Sequence, residues 1–414
     1  MNRSVAEMVL GVIPEGPIAF DGSSYRYSKG ERLYLDNLAG HFRELRLFTF
    51  VFRKGDPCYE TCTHSPFSAD NISINELPRC RSGKVSVVAK AWHFLKVFML
   101  LVRLVPKVDL LYLFLPGYPS ALGCLVGRLC GKIHIVYGAD DWEQASASMF
   151  KWEHLRGTKF YRLYASLNSW MERTIVHSAL FGVAAGGLVR QKYNRFGCPT
   201  YDTSPRMTLA SSDIYEREDT CIGNEIVLIN VGALIHDKAQ HLLIEAFSAL
   251  IECFPSLRLQ LVGQGNQEGR LRKLALDLGV DSRVEFLGYV EDEKTLYRHL
   301  RSSDIFVLSS VTEGFPRVLY EAMAMRLPIV TTDVGGIPFL MKDGVNARVV
   351  KSGDVSGLEE ALRDIILMPD ARRSMIHEAS ITLESVFRRM NSRQIADLVE
   401  THLHHRSVSR HRGI

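Results

Sequence analysis

Two glutamates, Glu313 and Glu321, bracket the run Gly314-Phe315-Pro316-Arg317-Val318-Leu319-Tyr320. Gly314 permits a tight turn, and Pro316 suits the first turn of a helix, where its missing N–H leaves no bond unmade. Backbone N–H groups around Phe315, Arg317 and Val318 would then stand at the positive end of a helix dipole, which is a ready anion site. The two acids do not share a helix face, because the Gly314–Pro316 turn lies between them. Glu313 belongs to the loop, and Glu321 lies about five residues into the helix, roughly 7.5 Å along its axis at about 1.5 Å per residue. A ligand with hydroxyls at both ends and negative charge in its middle would meet both carboxylates and the helix start. A solvated acid pair beside an ordinary helix start would have the same residue types.

Other residues of the same half could join that site. Gly232 opens a loop that carries Lys238 to the start of an amphipathic helix, where a phosphate-binding lysine or a merely solvated one would both sit. Val262-Gly263-Gln264-Gly265 and Thr332-Asp333-Val334-Gly335-Gly336 each close an apolar run with a backbone-permissive turn. At Gly263 and Gly265 a flat ring could pack on the chain. The same run continues to Gly269, one place late for the dinucleotide fingerprint, so a nicotinamide-dependent oxidoreductase is the weaker reading.

These turns need a frame, and the sequence supplies one. Short β-rich runs, Ile226–Val231, Leu257–Val262, Val284–Leu287, Ile305–Leu308, Ile329–Thr332 and Ala347–Val350, alternate with helical patterns at 240–253, 269–278, 294–300, 317–325 and 357–367. Strands without polar alternation, each followed by a helix, imply a parallel sheet covered on both faces. This predicts a doubly wound α/β domain over 222–384, with ligands at the carboxyl ends of its strands. The first half repeats the logic, with strands expected at 8–13, 45–51, 108–115, 133–137 and 180–185 and helices at 32–45 and 155–173, so 1–205 reads as a second Rossmann-like domain. Residues 199–224 read as the connector. The chain stays helical to about Leu403, with 385–404 expected to join the N-terminal domain and the basic tail 404–412 expected to fray.

At 414 residues, 46% hydrophobic and 23% charged, the chain has the composition of a soluble two-domain protein, which excludes a disordered or fully membrane-embedded one. The net charge of +4 is unevenly placed: residues 1–210 hold 26 Lys and Arg against 17 Asp and Glu. No nucleic-acid partner is expected. The eight cysteines show no paired ligand spacing, so neither a metal centre nor a disulfide framework is expected. Met1–Leu10 lacks the pattern of a secretory signal, which points to a cytoplasmic protein. Lys90, Lys96, Arg103, Pro106, Lys107 and Asp109 interrupt the apolar stretch 87–115. It is therefore too broken to span a membrane and reads as a basic amphipathic helix over 85–104 followed by a buried strand. That helix fits a core position with solvated lysines, and with Phe94, Phe98, Met99 and Leu100 beside its cations it also fits a peripheral contact with the inner face of a membrane.

The ordered series Gly232…Lys238, Val262-Gly263-Gln264-Gly265, Phe286-Leu287-Gly288, Ser309-Ser310-x-Thr312-Glu313-Gly314-Phe315-Pro316-x4-Glu321-Ala322, Pro328-Ile329-Val330-x3-Val334-Gly335-Gly336 and Asp343-Gly344 resembles the retaining GT-B glycosyltransferases of family 4 over 225–367. The resemblance implies a GT-B architecture, two Rossmann-like doubly wound parallel-sheet domains facing a cleft. A nucleoside diphosphate sugar donor would be held by the C-terminal domain and a saccharide or lipid-linked saccharide acceptor by the N-terminal one, with no metal or other cofactor required. By the same resemblance Glu313 meets the donor sugar, Glu321 the ribose and Lys238 the diphosphate. Gly314, Phe315, Pro316, Val318, Leu319, Gly263, Gly265, Gly288 and Tyr289 surround the donor. Ala233 stands where the family often has an arginine, which leaves the diphosphate one cation fewer. On the acceptor side the candidates are Gly22 and Gly186, together with Asp140 and Asp141, which could equally cap the next helix. A catalytically idle binding protein of the same fold is the remaining alternative.

Overall fold

The computed structural model describes residues 4–56, 65–79, 86–139, 159–203, 213–314, 316–387 and 392–411, with Tyr59 and Leu209. The chain divides into two compact units, Met1–Thr208 with Arg389–Ile414, and Leu209–Arg388.

The first unit is built on seven parallel strands in the spatial order Thr200–Asp202, Gly182–Ala184, Ile133–Gly138, Leu110–Leu115, Val9–Ile13, Glu44–Thr49 and Ile72–Glu76. The central strand Leu110–Leu115 is buried at every position, as a strand covered on both faces must be. Leu10, Val12, Tyr112 and Tyr137 face the helices Lys29–Ala39 and Ser392–His411, while Val9, Leu111, Leu113 and Val136 face Val87–Leu104, Tyr118–Leu129 and Lys159–His177. Counted along the chain, the order is 3-2-1-4-5-6-7, so the winding reverses between Val9–Ile13 and Leu110–Leu115.

Two edge strands were not expected. Ile72–Glu76 is half-exposed throughout, and Thr200–Asp202 lies in what reads as the connector; both carry the polar residues that an edge tolerates and that disguise a strand in the sequence. A small sheet of Val51–Arg53, Ile18–Phe20, Tyr25–Tyr27 and Ser65–Pro66, from strands of three residues or fewer, is also new. The tail is not frayed: Ser392–His411 is a helix through His404 and His405, anchored by Ile395 and Val399, which are fully buried. The connector beyond Tyr215 is pinned to the second unit, where Asp219 pairs at 2.6 Å with the buried Arg372.

The second unit carries six parallel strands in the order Val284–Gly288, Leu257–Val262, Ile226–Val231, Ile305–Leu308, Ile329–Thr332 and Arg348–Val350. Along the chain this is 3-2-1-4-5-6, the doubly wound order in which ligands bind where the winding reverses. Here that point lies beyond Val231 and Leu308. Helices Gln240–Leu250, Glu268–Asp277 and Val355–Leu367 cover one face through Leu243, Phe247, Leu271 and Leu358.

Candidate functional site

Two loops leave the sheet of the second unit at its reversal point. The first leaves Ile226–Val231, turns at Gly232 and makes a short 3-10 turn, His236–Lys238, before the helix that begins at Gln240. Ala239 at that junction takes a left-handed φ of 48° and is buried, which brings Lys238 round towards the second loop. The second loop leaves Ile305–Leu308 and carries Glu313. The loops are tied together: Val311 N–H donates to the Asp237 carbonyl at 2.9 Å, and the Ser309 hydroxyl donates to the Lys238 carbonyl at 3.1 Å.

Within this frame Lys238 Nζ lies 2.5 Å from Glu313 Oε1, and the Ser310 hydroxyl donates to the same oxygen at 2.6 Å. The Glu313 side chain is 7% exposed and that of Lys238 23%. A carboxylate this buried needs charged and hydrogen-bonding partners, and it has both. Ser310 is itself held, because the Thr332 hydroxyl donates to its carbonyl at 2.6 Å. Sequence reasoning quoted Ser310 and Thr332 within motifs without giving them a role, and passed over Asn230 and Gln240 as site residues. All four are buried and polar, and they stand at or beyond the carboxyl ends of strands or at the helix start that follows. That placement is the signal that could have found them.

The glycines also do structural work where the loops cross. A Cβ on Gly263 (φ +143°) would lie 1.9 Å from the Gly232 carbonyl oxygen, and one on Gly265 would lie 2.2 Å from that of Leu234. Their side-chain faces are filled by neighbouring backbone, so these residues let two loops cross. Gly335 (φ +57°) does the same beneath Glu313, with 1.8 Å from its Cβ position to the Glu313 carbonyl oxygen, and Gly336 N–H donates to the Gly314 carbonyl at 2.8 Å. Gly288 accepts from Gly263 N–H at 2.8 Å, and Tyr289 beyond it is exposed.

The helix after Pro316 is Val318–Ala324, so Glu321 is its fourth residue, one fewer than expected. Leu319 and Tyr320 N–H groups turn back onto the Pro316 and Arg317 carbonyls, just past the Phe315, Arg317 and Val318 donors expected at the helix start. Burial pushes the Glu321 carboxyl up to about 7; Glu293 adds to the rise and Arg317 opposes it. Phe315, Asp140 and Asp141 lie outside the described residues.

In the first unit, Gly22 (φ +103°) sits in the hairpin turn between Ile18–Phe20 and Tyr25–Tyr27. Asp21 organises that turn by accepting from the Ser23 and Ser24 N–H groups at 2.8 Å each, and these bonds hold its carboxyl well below the usual range. Gly186 precedes the helix Gly187–Arg195 after the strand Gly182–Ala184. Among the described residues, no group of three or more His, Cys, Asp or Glu is arranged to hold a metal ion.

Residues 213–381 match the family described as Glycosyl transferases group 1, a segment that covers most of the second unit and less than half of the chain. The structure of Anabaena HepE in complex with UDP superposes with a TM-score of 0.65 at 17% identity, over 96% of this chain and 99% of that one. The chain has the GT-B fold. Two curated relatives match parts of the chain. The lipopolysaccharide core biosynthesis glycosyltransferase LpsE of Rhizobium meliloti is 34% identical over 163 residues, 39% of this chain and 46% of that protein. The putative glycosyltransferase EpsD of Bacillus subtilis is 28% identical over 230 residues, 53% and 58% of the two chains. The matched segment thus spans about half the length of each.

Proposed function

We propose that the chain is a glycosyltransferase that moves a sugar from a nucleoside diphosphate sugar to a saccharide or lipid-linked saccharide, with retention of configuration, in the building of a cell-surface polysaccharide or glycoconjugate. The observation that carries this reading is the Lys238–Glu313 pair at the reversal point of the second sheet, with Glu321 on the helix that follows. The match to Glycosyl transferases group 1 supports it, as do the relatives named for glycosyl transfer and the UDP bound to HepE.

In this reading the bond between the anomeric carbon and the diphosphate oxygen breaks while the acceptor oxygen bonds to the same face of that carbon. The acceptor's proton passes to a diphosphate oxygen, so no protein nucleophile is assigned. Lys238 offsets charge on the departing diphosphate, which is electrostatic stabilisation of a leaving group. Glu313 accepts hydrogen bonds from donor sugar hydroxyls and Glu321 from the ribose. Because Lys238 and Glu313 already hold each other, the site is ordered before the donor arrives. Ala233 leaves Lys238 without the second cation common at that position.

The helix Val87–Leu104 is read as a contact with the inner face of a membrane, which would bring a lipid-linked acceptor within reach. Among the described residues no helix is long and apolar enough to cross a membrane.

A nucleotide-release assay over a panel of nucleotide sugars, with and without simple saccharide acceptors, tests the activity. Turnover or tight binding of one donor supports it; failure to bind or hydrolyse any donor defeats it.

A further inference from the structure

We propose that the membrane-facing surface is a platform of three neighbouring helices that docks on an anionic lipid bilayer. This deepens the single-helix contact read above. Val87–Leu104 packs against Tyr118–Leu129, which packs against Lys159–His177, and all three lie on one face of the seven-stranded sheet.

Each helix turns an apolar stripe outwards. On the first, Val88, Trp92, Leu95, Met99 and Val102 recur at helical spacing, and every one is at least 42% exposed. The opposite side of this helix carries Val97 and Leu101, which are fully buried. Phe98 and Leu100, counted with the exposed set in the sequence, are partly buried against the core instead. On the second helix Leu125 and Leu129 are 50% and 72% exposed, and on the third Leu163, Leu167 and Trp170 are 69%, 51% and 63% exposed. Isolated exposed leucines need no explanation, but stripes on three adjacent helices mark an interaction surface.

Charge decides what covers it. Across the three helices the sequence has seven Lys and Arg and a single acid, Glu172. Glu172 is fully buried and paired at 2.7 Å with Lys192, so the outward side of the platform carries no helical carboxylate. The helices on the other face of the same sheet, Lys29–Ala39 and Ser392–His411, hold two acids each. A second copy of this chain would set cations against cations, whereas an anionic bilayer neutralises them and takes the apolar stripes into its interface. Trp92 and Trp170 suit that boundary, where an amphipathic ring sits at headgroup depth. Lys96 Nζ lies 5.8 Å from the centre of the Trp92 ring, which keeps charge and ring side by side.

The test is co-sedimentation of the full chain with phosphatidylcholine vesicles, with and without phosphatidylglycerol, at low and high salt. Binding is expected only to the anionic vesicles, lost at high salt. Lys96→Glu and Arg128→Glu should each weaken it by about fivefold or more. Leu167→Glu and Trp170→Glu, on the third helix, should weaken it as much as Trp92→Glu on the first, with circular dichroism unchanged. No binding at low salt would overturn the proposal, and so would binding that ignores the changes at Leu167 and Trp170. A concentration-dependent dimer in sedimentation velocity, broken by the same variants, would overturn it in favour of self-association. Donor binding measured without vesicles reports on the glycosyltransferase reading separately, since none of these residues belongs to the donor site.

Discussion

Lys238 and Glu313, seventy-five residues apart in sequence, meet at 2.5 Å because the loops that carry them leave adjacent parallel strands at the point where the sheet reverses its winding. The pair joins the stability of the second unit to its chemistry, and the two can be separated by substitution. Lys238→Ala leaves a buried carboxylate with Ser310 as its remaining side-chain partner and is expected to destabilise the chain by about 2 kcal/mol. The double variant Lys238→Ala with Glu313→Gln should recover most of that loss, because no uncompensated charge remains. Thermal or urea unfolding of the wild type, the two single variants and the double variant measures it; a double variant less stable than Lys238→Ala would show that the two side chains do not act as one unit.

Glu313→Gln keeps the shape and removes the charge. Turnover of the donor should fall by roughly 2–4 kcal/mol in transition-state terms, the range for a buried charge-assisted contact, with a smaller change in KM. Steady-state kinetics with the donor found in the panel distinguish this from a uniform binding loss, in which KM alone would rise.

Glu321 should give the donor site a pH dependence. Its folded-state carboxyl is raised to about 7, so the folded protein holds a proton that the unfolded chain has released. Stability should therefore decline as pH rises from about 4.5 through 7, by an amount on the order of 2 kcal/mol after allowance for partial exposure. Glu321→Gln should flatten that decline. Ribose hydroxyls favour the ionised carboxylate, so donor affinity should weaken as pH falls from 8 to 6, and Glu321→Ala should raise the donor KM at high pH. Calorimetric titrations at three pH values check both signs.

Gly263→Ala and Gly288→Ala offer a matched comparison, since both glycines have positive φ. At Gly263 the new methyl group meets the Gly232 carbonyl oxygen at 1.9 Å, while at Gly288 nothing lies within 4 Å. Gly288→Ala should cost about 1 kcal/mol of backbone strain. Gly263→Ala should cost several times more and disturb the Lys238 loop, seen as a loss of folded yield or donor affinity. Equal unfolding midpoints for the two variants would contradict the loop-crossing role.

The sheet of the second unit is legible in the sequence because its strands are short β-rich runs, fully buried at Ile305–Leu308 and Ile329–Thr332 and predominantly apolar at Ile226–Val231 and Leu257–Val262; all four stand where the pattern places them. The edges are not legible. Ile72–Glu76 alternates Ile with polar residues and Thr200–Asp202 has a single apolar ring, patterns that a loop shares. In the site, the motif order marks Glu313, Lys238 and Glu321, but no pattern says that the first two bind each other. That depends on which strands are neighbours, and the reversal of winding makes strands distant in sequence adjacent. The same is true of the glycines, whose spacing marks permissive turns but not that a Cβ at Gly263 or Gly265 would run into the backbone of the Gly232 loop.

The first unit owes part of its core to the last helix, Ser392–His411, whose Glu400 accepts from Val5 N–H at 3.2 Å and whose His402 meets Tyr201 at 3.1 Å. The second unit lies wholly within the interval between them. A chain growing on the ribosome can therefore complete its second folding unit first, while the earlier residues wait with one face of their sheet covered by Lys29–Ala39 but not by Ser392–His411 until that helix emerges. For that interval Leu10, Val12 and Tyr112 lack part of their cover, and a nascent-chain pause or a truncation before residue 392 would prolong the vulnerable state. The helix Ser392–His411 thus sets when the unit it completes becomes resistant to proteases and aggregation.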